Sequence, residues 1–246
     1  MHTNYFDIAG KHILVTGASS GIGREVAIQL ALAGATISVT GRSETKLLDT
    51  ISNIDAATIS YFGAHDLTDD ESIKQLVNNC DNLDGVVFCA GIAEYTPIKV
   101  LSSLKLQNTL NTNFISQVQL TTLLLKNRKL NVDSSLVYIS SISSRKGVAA
   151  TAAYASSKAA LSAFVRVLAT EVAKPNKIRV NSLCPGIVKT PMGQMVADLV
   201  EDISADYPLG LGDTVDIANS CIFFLSDASK WITGTELVLD GGLTLT

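Results

Sequence analysis

The chain has 246 residues, 47 % of them hydrophobic and 17 % charged, with 19 Lys and Arg against 23 Asp and Glu, which suffices for one large domain or two small ones around a substantial core. No apolar stretch approaches the roughly 20 residues of a membrane-spanning helix, and no basic run is present to neutralise phosphates, so neither a membrane nor a nucleic acid is the expected partner. The N-terminal segment shows no basic-then-apolar signal pattern, and Cys80, Cys89, Cys184 and Cys221 stand apart without a CxxC pair, which predicts reduced thiols in a cytoplasmic protein and no metal site.

Taken in chain order, short β-branched runs alternate with longer stretches of helical spacing. Strands are predicted over 12–16, 36–40, 58–62, 85–89, 136–140, 178–183 and 236–239. Helices are predicted over 22–33, 43–52, 70–79, about 98–126, and 151–173. Several strands are apolar along their whole length, as in sheets covered on both faces. That order predicts an α/β fold: a doubly wound, seven-stranded parallel sheet with helices on both faces, in one domain spanning 1–246. The segment from about 190 to 212 does not read as a sheet element and is expected to form a flap of one or two short helices.

The first strand runs directly into Thr16-Gly17-Ala18-Ser19-Ser20-Gly21-Ile22-Gly23 and then into an amphipathic helix. Strand, tight glycine turn and helix in this order make a phosphate cradle. Gly17 and Gly21 let the backbone approach a pyrophosphate, Gly23 permits close helix packing, and the helix N-terminus offers free N–H groups and a positive dipole end. A dinucleotide is expected across the turn. The second strand ends at Thr40-Gly41-Arg42-Ser43, where an NAD-binding protein places an acid for the ribose hydroxyls. Arg42 instead supplies a planar fork suited to a 2′-phosphate, which predicts NADP(H) over NAD(H). A solvated Arg at the start of the next helix is the competing reading.

Further along, Tyr154 and Lys158 are spaced i, i+4 in a helical segment. Both side chains therefore share one face. An ammonium near a phenol stabilises the phenolate and would lower the tyrosine pKa from its usual value of about 10, so that it exchanges a proton with an alcohol or carbonyl oxygen. Alone, such a pair is more often a surface pair than a site. It gains weight from Ser141, at the end of a strand thirteen residues earlier.

These motifs, with Asp66-Leu67, Ala90-Gly91, Asn113, Pro185-Gly186-Ile187-Val188-Lys189-Thr190-Pro191-Met192 and Asp240-Gly241-Gly242 in the same order, make the chain resemble the short-chain dehydrogenase/reductase family along almost its whole length. The resemblance implies a single-domain Rossmann fold, a homotetramer or homodimer, and hydride transfer between nicotinamide and a carbonyl or alcohol carbon. It also implies roles. Tyr154 is the general acid in reduction and the base in oxidation. Lys158 lowers its pKa and holds the nicotinamide ribose, Ser141 donates a hydrogen bond to the substrate oxygen, and Asn113 holds a water that links Lys158 to solvent. Around the cofactor, Gly17, Ser19, Ser20, Gly21 and Ile22 surround the phosphates and adenosine ribose. Asp66 and Leu67 flank the adenine, Cys89, Ala90 and Gly91 line its path, and Pro185, Gly186, Ile187, Val188 and Thr190 lie at the nicotinamide end, with Ile187, Val188 and Thr190 on the carboxamide.

Departures from the family pattern are visible. Cys89 stands where the family has Asn, losing side-chain hydrogen bonds that tie neighbouring strands, and Cys184 precedes Pro185 where a small apolar residue is common. Ser140, Ser143 and Ser144 flank Ser141, whose assignment rests on its spacing from Tyr154. His65 beside Asp66 reads as a partly exposed residue at the adenine edge. The resemblance is strongest to 3-oxoacyl-[acyl-carrier-protein] reductases. Thr170 stands where that branch often has Arg to meet an acidic carrier protein, and Lys126, Arg128, Lys129, Arg145 and Lys146 are the cations that could compensate. A sugar, polyol or steroid alcohol dehydrogenase of the same family is the alternative, and a non-catalytic dinucleotide-sensing protein the alternative of another class.

Overall fold

The structure, a computed structural model, describes residues 4–197 and 203–245; residues 198–202 of the expected flap lie outside them. Seven strands form one sheet: β1 (His12–Thr16), β2 (Thr36–Gly41), β3 (Ile59–Ala64), β4 (Leu83–Phe88), β5 (Leu130–Ile139), β6 (Arg179–Pro185) and β7 (Glu236–Leu239). They lie in the order β3-β2-β1-β4-β5-β6-β7, every pair parallel. The helices are α1 (Gly21–Leu32), α2 (Glu44–Ile51), α3 (Asp70–Asn79), α4 (Ser103–Leu110), α5 (Ser116–Lys126), α6 (Ala152–Asn176), α7 (Pro191–Ala197) and α8 (Thr214–Leu225).

Alternate strand residues feed two cores, because successive side chains point to opposite faces of the sheet. Ile13, Val15, Ile37, Val39, Val87 and Val137 pack under Val26 and Leu30 of α1, Leu47 of α2, and Ile217 and Phe224 of α8. Leu14, Val86, Phe88, Leu136 and Tyr138 pack under Ile73 of α3, Leu120 and Leu124 of α5, and Leu161 and Val165 of α6. The second core is centred on Phe88 and Tyr138, whose rings stack at 4.2 Å. The Tyr138 hydroxyl shares a 2.6 Å hydrogen bond with Thr121, so its polar end is satisfied inside the core.

Three elements differ from the expected bounds by three residues or more or in their division, each for a reason; the other differences are of one or two residues. β5 begins at Leu130, because its pairing with β4 starts at Leu83 opposite Leu130 and passes an irregularity before its apolar half. The expected helix over about 98–126 is α4 and α5 joined by a π-helical turn at Asn111–Ile115, with Ile98–Val100 a separate 3₁₀ turn. α6 runs three residues past 173 because Pro175 falls in its last turn, where breaking the helix ladder costs least. The chain leaves β1 for β2 and β3 on one side, then crosses to β4 on the other. The crevice beyond the carboxyl ends of β1 and β4 is therefore the fold's natural binding place.

Candidate active site

That crevice holds a cavity of about 760 Å³, lined from Gly17, Arg42 and Asp66 at one end to Ser141 and Tyr154 at the other. Of the residues singled out from sequence, all but Asn113 line it. They come from the ends of six strands and from α6, brought together by the parallel sheet.

At the phosphate end, Gly17 and Gly21 take φ of 66° and 53°, left-handed values that favour glycine. A Cβ on Gly23 would stand 2.3 Å from the Gly17 carbonyl oxygen, and one on Gly17 2.8 Å from the Ala90 nitrogen. The side chains of Ser43, Asp69 and Ser102 cap α2, α3 and α4, whereas Ser20 makes no side-chain cap on α1, whose first turn carries no acid. The amino end of α1 thus keeps free N–H groups and its positive dipole for an anion, as a dinucleotide pyrophosphate requires. Two residues that the sequence did not mark buttress the turn. Thr50 Oγ1 donates to the Ala18 carbonyl (2.9 Å) and Arg24 Nη2 to the Ser19 carbonyl (3.0 Å).

The departure at Cys89 is offset by β1. Thr16 Oγ1 accepts hydrogen bonds from the Cys89 and Ala90 nitrogens at 3.1 and 3.2 Å, tying β1 to the exit of β4 without an Asn. Burial pushes the Cys89 thiol up to about 12, which leaves it a small inert hydrophobe. Cys184 is also buried and pushed up, chiefly by desolvation. Arg42, exposed at the cavity edge, faces Asp66, whose carboxyl is held low first by the Thr68 N–H and hydroxyl and last by the Arg42 charge. His65 is buried rather than partly exposed: it bonds the Tyr61 hydroxyl at 2.7 Å and the Ser72 hydroxyl at 3.3 Å. Ser72 Oγ in turn accepts the Asp66 N–H, so His65 braces the adenine edge.

At the other end, Lys158 is buried and donates to the Ile139 carbonyl at 2.7 Å, its ammonium lying 5.8 Å from the centre of the Tyr154 ring. Burial lowers Lys158 to about 8. Tyr154, half-buried, is pushed up to about 12, chiefly by desolvation, with the Ser141 hydroxyl acting in the opposite direction. The expected lowering of the phenol by Lys158 is therefore outweighed, because removing a phenolate from water costs more than a cation aimed at another acceptor returns.

Asn113 lies behind the cavity wall, held by backbone and side-chain hydrogen bonds. The π-helical turn adds a residue within one coil and turns Asn113 into the interior. Its Oδ1 accepts the Ile92 N–H (2.7 Å), and its Nδ2 donates to the Ile92 carbonyl (2.8 Å) and Ser157 Oγ (3.0 Å). The side chain thus pins the exit of β4 to α6. At the end expected to meet the carboxamide, the Ile187 N–H is donated to the Tyr207 hydroxyl at 3.0 Å, and its carbonyl accepts the Gly212 N–H at 3.1 Å. Thr190 Oγ1 is shared between Gly193 and Val188. The segment is internally paired through the flap.

Among the flanking serines, Ser140 Oγ is buried against the Lys158 carbonyl and Ser162, and Ser144 Oγ donates to the Ser141 carbonyl. Ser141 and Ser143 both line the cavity, but only Ser141 acts on the Tyr154 phenol. Ser141→Ala is expected to lower kcat by about 10²-fold, the scale of losing one transition-state donor, and Ser143→Ala by less than about fivefold. Steady-state rates ranked the other way would overturn that assignment. The Ser141 turn is held from behind by Glu236 of β7, buried and paired with Arg145, which follows the turn, and with Arg166 of α6. These partners are far apart in sequence, so no local signal could have found them.

Residues 17–244 match the family model described as enoyl-(acyl carrier protein) reductase. The chain is 34 % identical over 242 residues to carbonyl reductase family member 4 of Xenopus laevis, covering 94 % of this chain and 97 % of that protein. It is 30 % identical over 244 residues to L-xylulose reductase of Mus musculus, covering 97 % and 98 %. A solved short-chain type dehydrogenase/reductase from Mycobacterium marinum superposes with a TM-score of 0.90 at 27 % identity, covering 99 % of each chain.

Proposed function

The chain belongs to the short-chain dehydrogenase/reductase family of oxidoreductases, and from that premise we propose that it reduces a carbonyl compound to an alcohol with NADPH, Tyr154 serving as general acid. The observation that carries this reading is the convergence of Ser141, Tyr154 and Lys158 at one end of a cavity whose other end is the glycine turn and Arg42. A nicotinamide dinucleotide held by the glycine turn and Arg42 would supply the hydride for the carbonyl carbon. The chain's own residues manage the oxygen: Ser141 Oγ donates a hydrogen bond as negative charge grows there, and the Tyr154 hydroxyl gives it a proton. Lys158, charged at neutral pH, stabilises the phenolate left behind until solvent restores the proton.

Burial holds Tyr154 protonated at neutral pH, the state a general acid requires. Lys158, lowered to about 8, sets the alkaline limit. Below pH 8 it carries its charge, and as pH rises through 8 it loses it. kcat/KM for NADPH, which reports groups of the free enzyme, is expected to fall about tenfold per pH unit above 8; a flat profile to pH 10 would count against a charged Lys158.

Similarity to a 3-oxoacyl-[acyl-carrier-protein] reductase of Chlamydia pneumoniae, 29 % identical over 246 residues, favours a second substrate reading, a 3-oxoacyl thioester delivered by an acidic carrier protein. The cations proposed for docking it divide unfavourably. Lys126, Arg128 and Lys129 precede β5, at the end of the parallel sheet away from the cavity, and Lys129 is bonded to the Cys80 carbonyl. Arg145 is paired with Glu236, leaving Lys146 on the cavity wall. A free ketone, not carried by a protein, is therefore the first reading. The deciding experiment follows NADPH absorbance with a panel of ketones and a short 3-oxoacyl thioester; turnover of the thioester alone would reverse the order. Self-association belongs to the same reading, since Leu104 of α4 and Val167 of α6 are 66 % and 56 % exposed. Sedimentation at micromolar concentration is expected to show a dimer or tetramer, and a monomer would remove it.

A further inference from the structure

The substrate end of the cavity carries a carboxylate that nothing in the fold uses. Glu94 lies on the segment that leaves β4. That segment is held at Ile92 by Asn113 and at Thr96 by a 2.8 Å hydrogen bond from its N–H to the Ala150 carbonyl. Between these two ties, Glu94 and Tyr95 form cavity wall. Tyr95 is close enough to Tyr154 for its charge to bear on that phenol, which places the segment beside the reacting end, away from Arg42 and Asp66.

Glu94 is half-buried, and its Oε2 is enclosed without a hydrogen-bond partner. No ion pair reaches Glu94 among the described residues. A carboxylate oxygen enclosed without a donor is costly, and a fold keeps such a group most cheaply where a ligand supplies the donor. The hydroxyls of Tyr95 and Ser143, also on the wall, have no side-chain hydrogen bond among the described residues. The wall near Tyr154 thus offers one charged acceptor and two free hydroxyls.

Resting on the reductase reading above, we propose that Glu94 is a specificity-determining residue that selects a neutral, polyhydroxylated ketone by accepting hydrogen bonds from its hydroxyl groups. The charged residues at this end are Glu94, Asp206, Lys146 and Lys158, two carboxylates and two ammoniums, so a ketone carrying its own carboxylate finds no net attraction and meets repulsion from the unpaired Glu94 oxygen itself. An apolar ketone of the same length leaves the carboxylate dry and unpaired, which sites built for hydroxyls reject strongly.

The test compares the wild type with Glu94→Gln and Glu94→Leu on four five-carbon ketones: an open-chain ketopentose, methyl propyl ketone, levulinate and the ω-amino analogue of methyl propyl ketone. NADPH fluorescence confirms that each variant is folded and binds cofactor. The wild type is expected to prefer the ketopentose. Its kcat/KM ratio over methyl propyl ketone is expected to fall at least about tenfold in Glu94→Leu, the scale of losing a hydrogen bond to a charged acceptor. In Glu94→Gln, whose amide oxygen still accepts, it is expected to fall about threefold while levulinate improves. A ratio unchanged within twofold in both variants would overturn the proposal. So would a wild-type preference for the amino ketone that Glu94→Gln abolishes, since the carboxylate would then select a cation. No turnover of any of the four by a wild type that binds NADPH would bring down the reductase reading itself, and this proposal with it.

Discussion

Tyr154→Phe is expected to lower kcat for carbonyl reduction by about 10²- to 10⁴-fold, the range that a positioned general acid contributes. The substitution removes one hydroxyl and keeps the ring, so the half-buried packing of α6 against the cavity survives and NADPH affinity should change by no more than a few-fold. The acid role follows from the electrostatics. A phenol pushed up to about 12 by desolvation holds its proton through the neutral range, and Ser141 beside it makes the phenolate attainable in the transition state. Stopped assays with saturating NADPH, paired with fluorescence titration of the cofactor, separate chemistry from binding. Unchanged turnover would remove Tyr154 from the mechanism. Cofactor binding with no reduction of any carbonyl by either protein would favour a dinucleotide-sensing role.

Arg42→Asp is expected to reverse cofactor preference, moving the ratio of kcat/KM for NADPH over NADH by about two to three orders of magnitude toward NADH. Arg42 follows β2 directly, lines the cavity at its exposed edge, and makes no ion pair among the described residues. Its guanidinium is free to fork onto a 2′-phosphate. Hydrogen bonds to charged groups contribute about 1.5–3 kcal/mol each, and a decade in kcat/KM corresponds to about 1.4 kcal/mol, so losing one or two of them while adding a repelling carboxylate accounts for the size. The same Asp would accept the two ribose hydroxyls of NADH, so the change adds as well as removes. Because Arg42 is exposed, the NADPH preference of the wild type should weaken at high salt. A preference unaltered by Arg42→Asp would leave the guanidinium as a solvated surface group.

Much of the molecule is determined by local chemistry, and that part was legible in the sequence. The strands at His12–Thr16 and Glu236–Leu239 and the helix at Asp70–Asn79 have the bounds their periodicity predicts, because apolar alternation and capping residues act over a few positions. The glycine turn after β1 is equally local: left-handed φ and missing Cβ atoms are properties of single residues. The Tyr154–Lys158 spacing needs only a helix to put both on one face. Wherever the backbone alone sets position, the chain states its site: every predicted site residue but one lies on one cavity.

The tertiary structure decided what each side chain does once it arrives. Asn113 grips the Ile92 backbone because a π-helical turn points it inward. Tyr207 takes the Ile187 N–H because the flap folds over the end of β6. Glu236 gathers Arg145 and Arg166 because β7 pairs beside β6, and Thr16 replaces the missing Asn at Cys89 because β1 and β4 are neighbours. The direction of the Tyr154 shift and the unpartnered Glu94 oxygen belong to the same class. Desolvation and hydrogen-bond satisfaction depend on every atom within a few ångströms, most of it contributed by chain far away in sequence, and no local pattern of residues records that sum.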